Sequence, residues 1–347
     1  MTRSSDCTPI NWPVKRKEDV LPHLKIALSA AGIALLVAAC SATPDPPSAG
    51  TRTSSAAAST AKAAATPTAG KPAAANALHG PYVALGDSYT AGLGIPAQTG
   101  STAGCGQSTS SYPYLVARTL RLDLIDMSCS SATIPDLTAP QPTGEGTNPA
   151  QLSALSSGTA LVTVSIGGND IGMIGIVTKC TELDLVPALI PGLSSSHLTP
   201  CEDYYTSGGT DQIQQRIQAV TGNLADTLTQ IRERAPHARV YVVGYPDLLP
   251  TGGGACGGAL GITAGDIAFL NQEEVRLNGV LEQVARAAGD GYVDTYTPSE
   301  GRDACAAPAS RWVEPLLPSS PAAPLHPNAA GERGMADAVV QGVESAS

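Results

Sequence analysis

Short apolar runs alternate along this chain with longer stretches in which apolar residues recur every three or four positions. The first pattern occurs at residues 82–85, 122–127, 160–166, 239–244 and 292–294. Continuous apolar runs of this length predict strands buried on both faces, as in a parallel sheet. The second pattern occupies 211–234, where Ile213, Ile217, Val220, Leu224, Leu228 and Ile231 make one helix face, and 263–288, where Ile267, Leu270, Val275, Val280, Leu281 and Val284 do the same. A helix at 111–120 can start on Pro113, a favoured first-turn residue. A last helix is predicted from near Pro327 to about Val343. Strands alternating with helices predict an α/β domain, a mainly parallel five-stranded sheet covered on both faces. The Pro- and Gly-rich segments 135–158, 181–209 and 246–262 are read as loops rimming a cleft, since open sheets bind ligands at the carboxyl ends of their strands.

The first 79 residues follow neither pattern. Residues 1–25 are polar and carry Lys15, Arg16, Lys17 and Lys25, and an apolar run from Ile26 then stops at Cys40. A basic stretch, a short apolar core and small residues at its end predict a secretory signal over 1–39. The core is too short to span a bilayer as a stable helix. Its end, Val37-Ala38-Ala39-Cys40, resembles a bacterial lipobox, in which the cysteine is lipidated; a plain cleavage site and a short anchor are the other readings. Residues 40–79 are Ala, Thr, Ser and Pro with almost no large apolar side chains. Such a segment cannot offset its ordering entropy and is predicted to be a flexible tether. Residues 80–347 then suffice for one large domain with a well-buried core.

Charge narrows the function. The whole chain carries a formal −10, and removing 1–39, with five basic and three acidic residues, leaves −12. Such a surface repels phosphate backbones, which argues against nucleic-acid binding. Beyond Cys7 and Cys40, six cysteines remain: Cys105, Cys129, Cys180, Cys201, Cys256 and Cys305. An even number in an exported domain predicts three disulfides, whose pairing the sequence alone leaves open. No CxxC or HExxH spacing points to a metal, and no cofactor is implied.

Three short motifs carry the candidate chemistry. The first strand ends in Leu85-Gly86-Asp87-Ser88, which exposes a serine hydroxyl above the sheet edge. This is not read as the GxSxG elbow of α/β-hydrolases. After the third strand comes Gly167-Gly168-Asn169-Asp170, where Asn169 can aim an amide N–H at a developing oxyanion or merely close a turn. Pro324-Leu325-His326-Pro327 precedes the last helix, and a histidine there can take a serine proton and return it to a leaving group.

In that order and at those positions, the three motifs resemble the SGNH (GDSL-like) hydrolases, above all the secreted lipases and esterases of streptomycetes. The resemblance implies a three-layer α/β/α, flavodoxin-like sandwich and an exported, monomeric enzyme acting on small-molecule or lipid esters. It implies Ser88 as nucleophile, His326 as base, and an oxyanion site built from the Ser88 N–H, the Asn169 side chain and one more backbone N–H. That last donor is normally a glycine, and Ser131 stands in its place. The resemblance further implies sequential disulfides, Cys105–Cys129, Cys180–Cys201 and Cys256–Cys305. Many members place Asp three residues before the histidine, where this chain has Ala323. The expectation is therefore a Ser–His dyad with the Ala323 carbonyl orienting the ring, and a pKa for His326 near its ordinary value. A carboxylate from Asp303 or Glu314 is the rival third member. An inactive domain that binds acyl or glycan ligands is the rival function, and a nucleotide-binding domain is disfavoured because Gly92-Leu93-Gly94 lacks a third glycine.

Overall fold

The computed structural model describes residues 78–100, 102–189, 198–251 and 260–346; the expected signal segment, Cys40 and the tether through residue 77 lie outside them. Seven strands form among these residues: β1 (Tyr82–Gly86), β2 (Leu124–Asp126), β3 (Gln141–Thr143), β4 (Gly146–Asn148), β5 (Leu161–Ser165), β6 (Arg239–Val243) and β7 (Gly291–Val293). The five apolar runs are thus all strands, but the edge strands β2 and β7 are only partly buried, with Ile125 of β2 exposed, because each has a neighbour on one side alone. All five make one parallel sheet in the order β2-β1-β5-β6-β7, while β3 and β4 form a separate antiparallel hairpin. Strands β1 and β5 are buried along their whole length, as their apolar runs require.

The helices are α1 (Ser88–Ala91), α2 (Tyr112–Leu120), α3 (Ile134–Thr138), α4 (Gly168–Ile171), α5 (Met173–Leu189), α6 (Pro200–Tyr205), α7 (Gln212–Arg234), α8 (Ala264–Ala288) and α9 (Ala329–Ser345). Alternate strand residues feed two cores. Val83, Leu85, Val162 and Val164 pack with Val220 and Leu224 of α7 and Leu277 and Leu281 of α8. Tyr82, Ala84, Tyr241 and Val243 pack with Val116 of α2 and Met335 and Val339 of α9. Each such large side chain contributes on the order of 1.5–3 kcal/mol when fully buried. The result is the three-layer α/β/α sandwich.

Polar side chains start the long helices where the sequence pattern starts. Asp211 accepts from Gln214 N–H at 2.9 Å, Thr263 from Asp266 N–H at 3.3 Å, and Asn328 from Ala330 N–H at 2.8 Å. Two readings need correction. Segment 181–209 is not simply a loop, because α5 runs into it and α6 follows. Ile176, Val177 and Cys180 are buried at helical spacing, but Asp184 shares that buried row while Leu185 is exposed, so polarity does not mark one face of α5. Helix α6 is short and depends on tertiary partners: Asp266 of α8 accepts from Cys201 and Glu202 N–H at 2.9 and 2.8 Å. Segment 135–158 likewise contains α3 and the hairpin.

Disulfides Cys105–Cys129 and Cys180–Cys201 are formed in the sequential pairing. Cys305 is disulfide-bonded, and Cys256 lies outside the described residues. Among the described residues, no helix is long and apolar enough to cross a membrane.

Candidate active site

The chain turns back across β1 after β2, so the strand order reverses between β1 and β5, and a crevice opens at their carboxyl ends. Register sets Gly86 opposite Ser165, which brings the two strand ends level. Gly86 has φ +149°, and a Cβ there would lie 2.5 Å from the Ser165 carbonyl oxygen, so only glycine fits. Gln151 holds both peptides of Gly86 from the side, accepting from Gly86 N–H at 2.8 Å and donating to its carbonyl at 2.9 Å. Asp87 then caps α1 through Tyr89 N–H at 2.9 Å. This places Ser88 on the first turn of a helix, above the sheet edge.

His326 meets it from the opposite end of the chain. Its Nε2 lies 2.7 Å from Ser88 Oγ, and both residues are buried. Nδ1 lies 2.7 Å from the carbonyl oxygen of Pro324. The expected partner, the Ala323 carbonyl, instead accepts from the His326 backbone N–H at 3.2 Å. The cause is Leu325, whose φ of +61° curls the chain so that the carbonyl two residues before the ring faces Nδ1. That left-handed residue costs about 1–2 kcal/mol, and its surroundings hold it: Tyr89 Oη donates to the Leu325 carbonyl at 2.6 Å, and Leu325 N–H donates to the Glu314 carbonyl at 3.0 Å.

Neither rival carboxylate turns toward the imidazole. Asp303 accepts from Cys305 N–H at 2.7 Å. Glu314 accepts from Asn328 Nδ2 at 2.8 Å and from Ser319 and Ser320 N–H at 2.9 and 3.2 Å. Burial pushes the Glu314 carboxyl up, but these bonds and Arg311 outweigh it and hold it below its ordinary value. For His326, burial lowers the pKa and the Pro324 carbonyl only partly opposes it, so the expectation of an ordinary value is also corrected. The ring is therefore held in its neutral, proton-accepting form.

The other predicted residues gather at the same place. Asn169 is on α4, directly beyond β5, and one Nδ2 hydrogen reaches the Ala132 carbonyl at 2.9 Å, leaving the second to donate elsewhere. Asp170 accepts from Ile134 N–H at 3.1 Å, so the Gly-Gly-Asn-Asp turn braces the segment that holds Ser131. Ser131 has φ +63°, the left-handed conformation in which glycine is the usual residue. Among the described residues, nothing accepts from the backbone N–H of Ser88 or Ser131. Disulfide Cys105–Cys129 and the Ser130 N–H bond to the Cys105 carbonyl, at 3.0 Å, secure this turn. An apolar cleft with walls of Met173, Ile174, Leu248 and Leu277 opens beside Ser88 and Asn169.

Sequence reasoning missed Gln151 and Tyr245, gave Asp87 no role, and placed Pro324 in the His326 motif without assigning its carbonyl to the ring. Of these, Asp87 lies inside the first motif and Tyr245 follows a strand at its carboxyl end, which are the available signals. Gln151 carries none.

A buried Ser–His pair at the carboxyl edge of a parallel sheet, within three α/β/α layers, is the framework of an SGNH-type hydrolase. Solved structures agree: a phospholipase A1 from Streptomyces albidoflavus NA297 superposes with a TM-score of 0.62 at 25% identity, over 78% of this chain and 100% of that one. An extracellular lipase from Streptomyces rimosus gives 0.61 at 28% identity, over 77% and 100%. In sequence, Lipase 2 of Streptomyces coelicolor is 39% identical over 258 residues, 74% of this chain and 83% of the relative. Residues 84–333 match the GDSL-like lipase/acylhydrolase family. The chain belongs to that family and is a carboxylic ester hydrolase.

Proposed function

We propose that the protein is an exported lipase or esterase that works through a Ser88–His326 dyad and an acyl-enzyme. Ser88 Oγ attacks the ester carbonyl carbon while His326 Nε2 takes its proton. The tetrahedral oxyanion accepts from the Ser88 and Ser131 backbone N–H groups and from Asn169 Nδ2, donors held in place before the charge develops. His326 returns the proton to the departing alkoxide, then activates a water that releases the acid and regenerates Ser88. The Pro324 carbonyl accepts from Nδ1–H throughout, which fixes the tautomer and leaves Nε2 free to act as base. The cleft walled by Met173, Ile174, Leu248 and Leu277 receives the acyl chain.

The observation that carries this reading is the 2.7 Å contact between Ser88 Oγ and His326 Nε2. Hydrolysis of p-nitrophenyl esters from acetate to palmitate tests it and ranks chain lengths. Ser88→Ala is expected to cut turnover by roughly 10³-fold or more on every ester the wild type cleaves; a variant keeping half the activity refutes the assignment. Export is supported by the basic and apolar segment before Cys40 and by the S. rimosus relative, which is an extracellular lipase. The Val37-Ala38-Ala39-Cys40 sequence supports lipid attachment at Cys40, with residues 41–79 as the tether to the enzyme.

A further inference from the structure

The turns carrying Ser88 and Asn169 sit on neighbouring strands, and one hydroxyl bridges them. Tyr245 Oη donates to Asp87 Oδ2 at 2.6 Å and accepts from Gly168 N–H at 2.9 Å. Asp87 is the chain neighbour of Ser88, and Gly168 that of Asn169. The bridge is close on the Gly168 side, where a Cβ would lie 3.1 Å from both Cζ and Oη of Tyr245. Tyr245 is itself held rigidly. Its N–H donates to Asn278 Oδ1 at 2.8 Å, and its carbonyl accepts from Asn278 Nδ2 at 2.9 Å. Its ring meets Tyr89 edge-on at 5.1 Å, and Tyr89 in turn packs on the His326 ring at 4.9 Å. Burial and the neighbouring Asp87 both push the phenol pKa up, so the group stays a protonated donor.

We propose that Tyr245 is a positioning residue for ester hydrolysis, its hydroxyl setting the separation between the Ser88 nucleophile and the Asn169 oxyanion donor. The proposal rests on the roles given above to Ser88, Asn169 and His326. In this scheme the hydroxyl acts by fixing one turn against the other. A misplacement of about 1 Å can cost on the order of 10²-fold in rate, while the cleft, which Asp87, Gly168 and Tyr245 line together with Met173 and Leu277, keeps the tyrosine ring as its wall when only the hydroxyl is removed. The hydroxyl therefore matters for kcat and little for KM.

The test is Tyr245→Phe, which keeps the ring and its packing, measured alone and combined with Asn169→Ala on p-nitrophenyl butyrate. Rates are normalised to active sites titrated with a fluorophosphonate. The expected result for Tyr245→Phe is a fall of roughly 10–100-fold in kcat with KM within about twofold. In the double variant the two losses should combine to clearly less than their product, because positioning an absent donor has no value. A kcat within about twofold of wild type, or losses that multiply, overturns the proposal. Asn278→Ala loosens the same tyrosine through its backbone and decides the matter if the phenylalanine variant does not fold: a drop in kcat at constant KM is expected, and an unchanged kcat overturns the proposal. Failure of the underlying mechanism shows separately, as turnover that survives Ser88→Ala.

Discussion

Replacing Asp303 and Glu314, the two carboxylates that rival the carbonyl for His326, separates a dyad from a triad. In a triad, amide replacement of the third member can stabilise the wrong imidazole tautomer and cost roughly 10⁴-fold in kcat. Here Nδ1 is 2.7 Å from the Pro324 carbonyl, and the carboxylates face other groups. Asp303→Asn keeps an amide oxygen for Cys305 N–H, the acceptor now 2.7 Å away, so both fold and kcat should survive with less than about a tenfold change. Glu314→Gln is harsher. One carboxylate oxygen takes Asn328 Nδ2 and the other takes Ser319 and Ser320 N–H, and a glutamine has a single acceptor oxygen. One set of donors loses its partner, at a cost of about 1–3 kcal/mol. That cost appears as a lower Tm and not as lost chemistry. The assay is kcat on p-nitrophenyl butyrate well below each variant's Tm, with active sites titrated. A folded variant that loses about 10⁴-fold refutes the carbonyl assignment and makes the enzyme a triad.

Two further outcomes follow from the same structure. Because burial lowers the His326 pKa and catalysis needs the neutral ring, kcat/KM should rise with pH through an acid limb centred below the ordinary value of 6.5. Asp87, pushed up to about 7 mainly by burial, lies next to Ser88, so a limb centred near 7 would assign the profile to Asp87 and contradict the histidine assignment. For attachment, Cys40→Ala is expected to release the protein from the membrane fraction, measured by fractionation and intact mass in the producing cell; unchanged mass and distribution would leave plain secretion.

Much of the fold is legible from short-range pattern. The apolar runs at 82–85 and 160–166 are satisfied by central strands buried on both faces, and the 3.6-residue spacing at Ile213–Ile217–Val220–Leu224 by a helix lying on them. Caps at Asp211, Thr263 and Asn328 mark the helix starts because their side chains bond to backbone two or three residues away. The candidate site residues Ser88, Asn169 and His326 stand at ends of such elements, so the order of the elements already brings them to one sheet edge. Helix α5 escaped because a buried Asp184 and an exposed Leu185 blur its apolar face, and α6 because its first N–H groups are capped by Asp266, far along the chain.

The details that decide chemistry are long-range or depend on one torsion angle. Whether the carbonyl of residue 323 or 324 faces the imidazole turns on the φ of Leu325, which is held by Tyr89 and Glu314, residues from two other parts of the chain. The bridge from Asp87 through Tyr245 to Gly168 joins three strand ends that no local pattern relates. Hydrophobic periodicity is a property of neighbours along the chain, so it specifies the elements and their faces. Hydrogen bonds between elements depend on how the packed layers bring distant backbone together, and only the tertiary structure decides them.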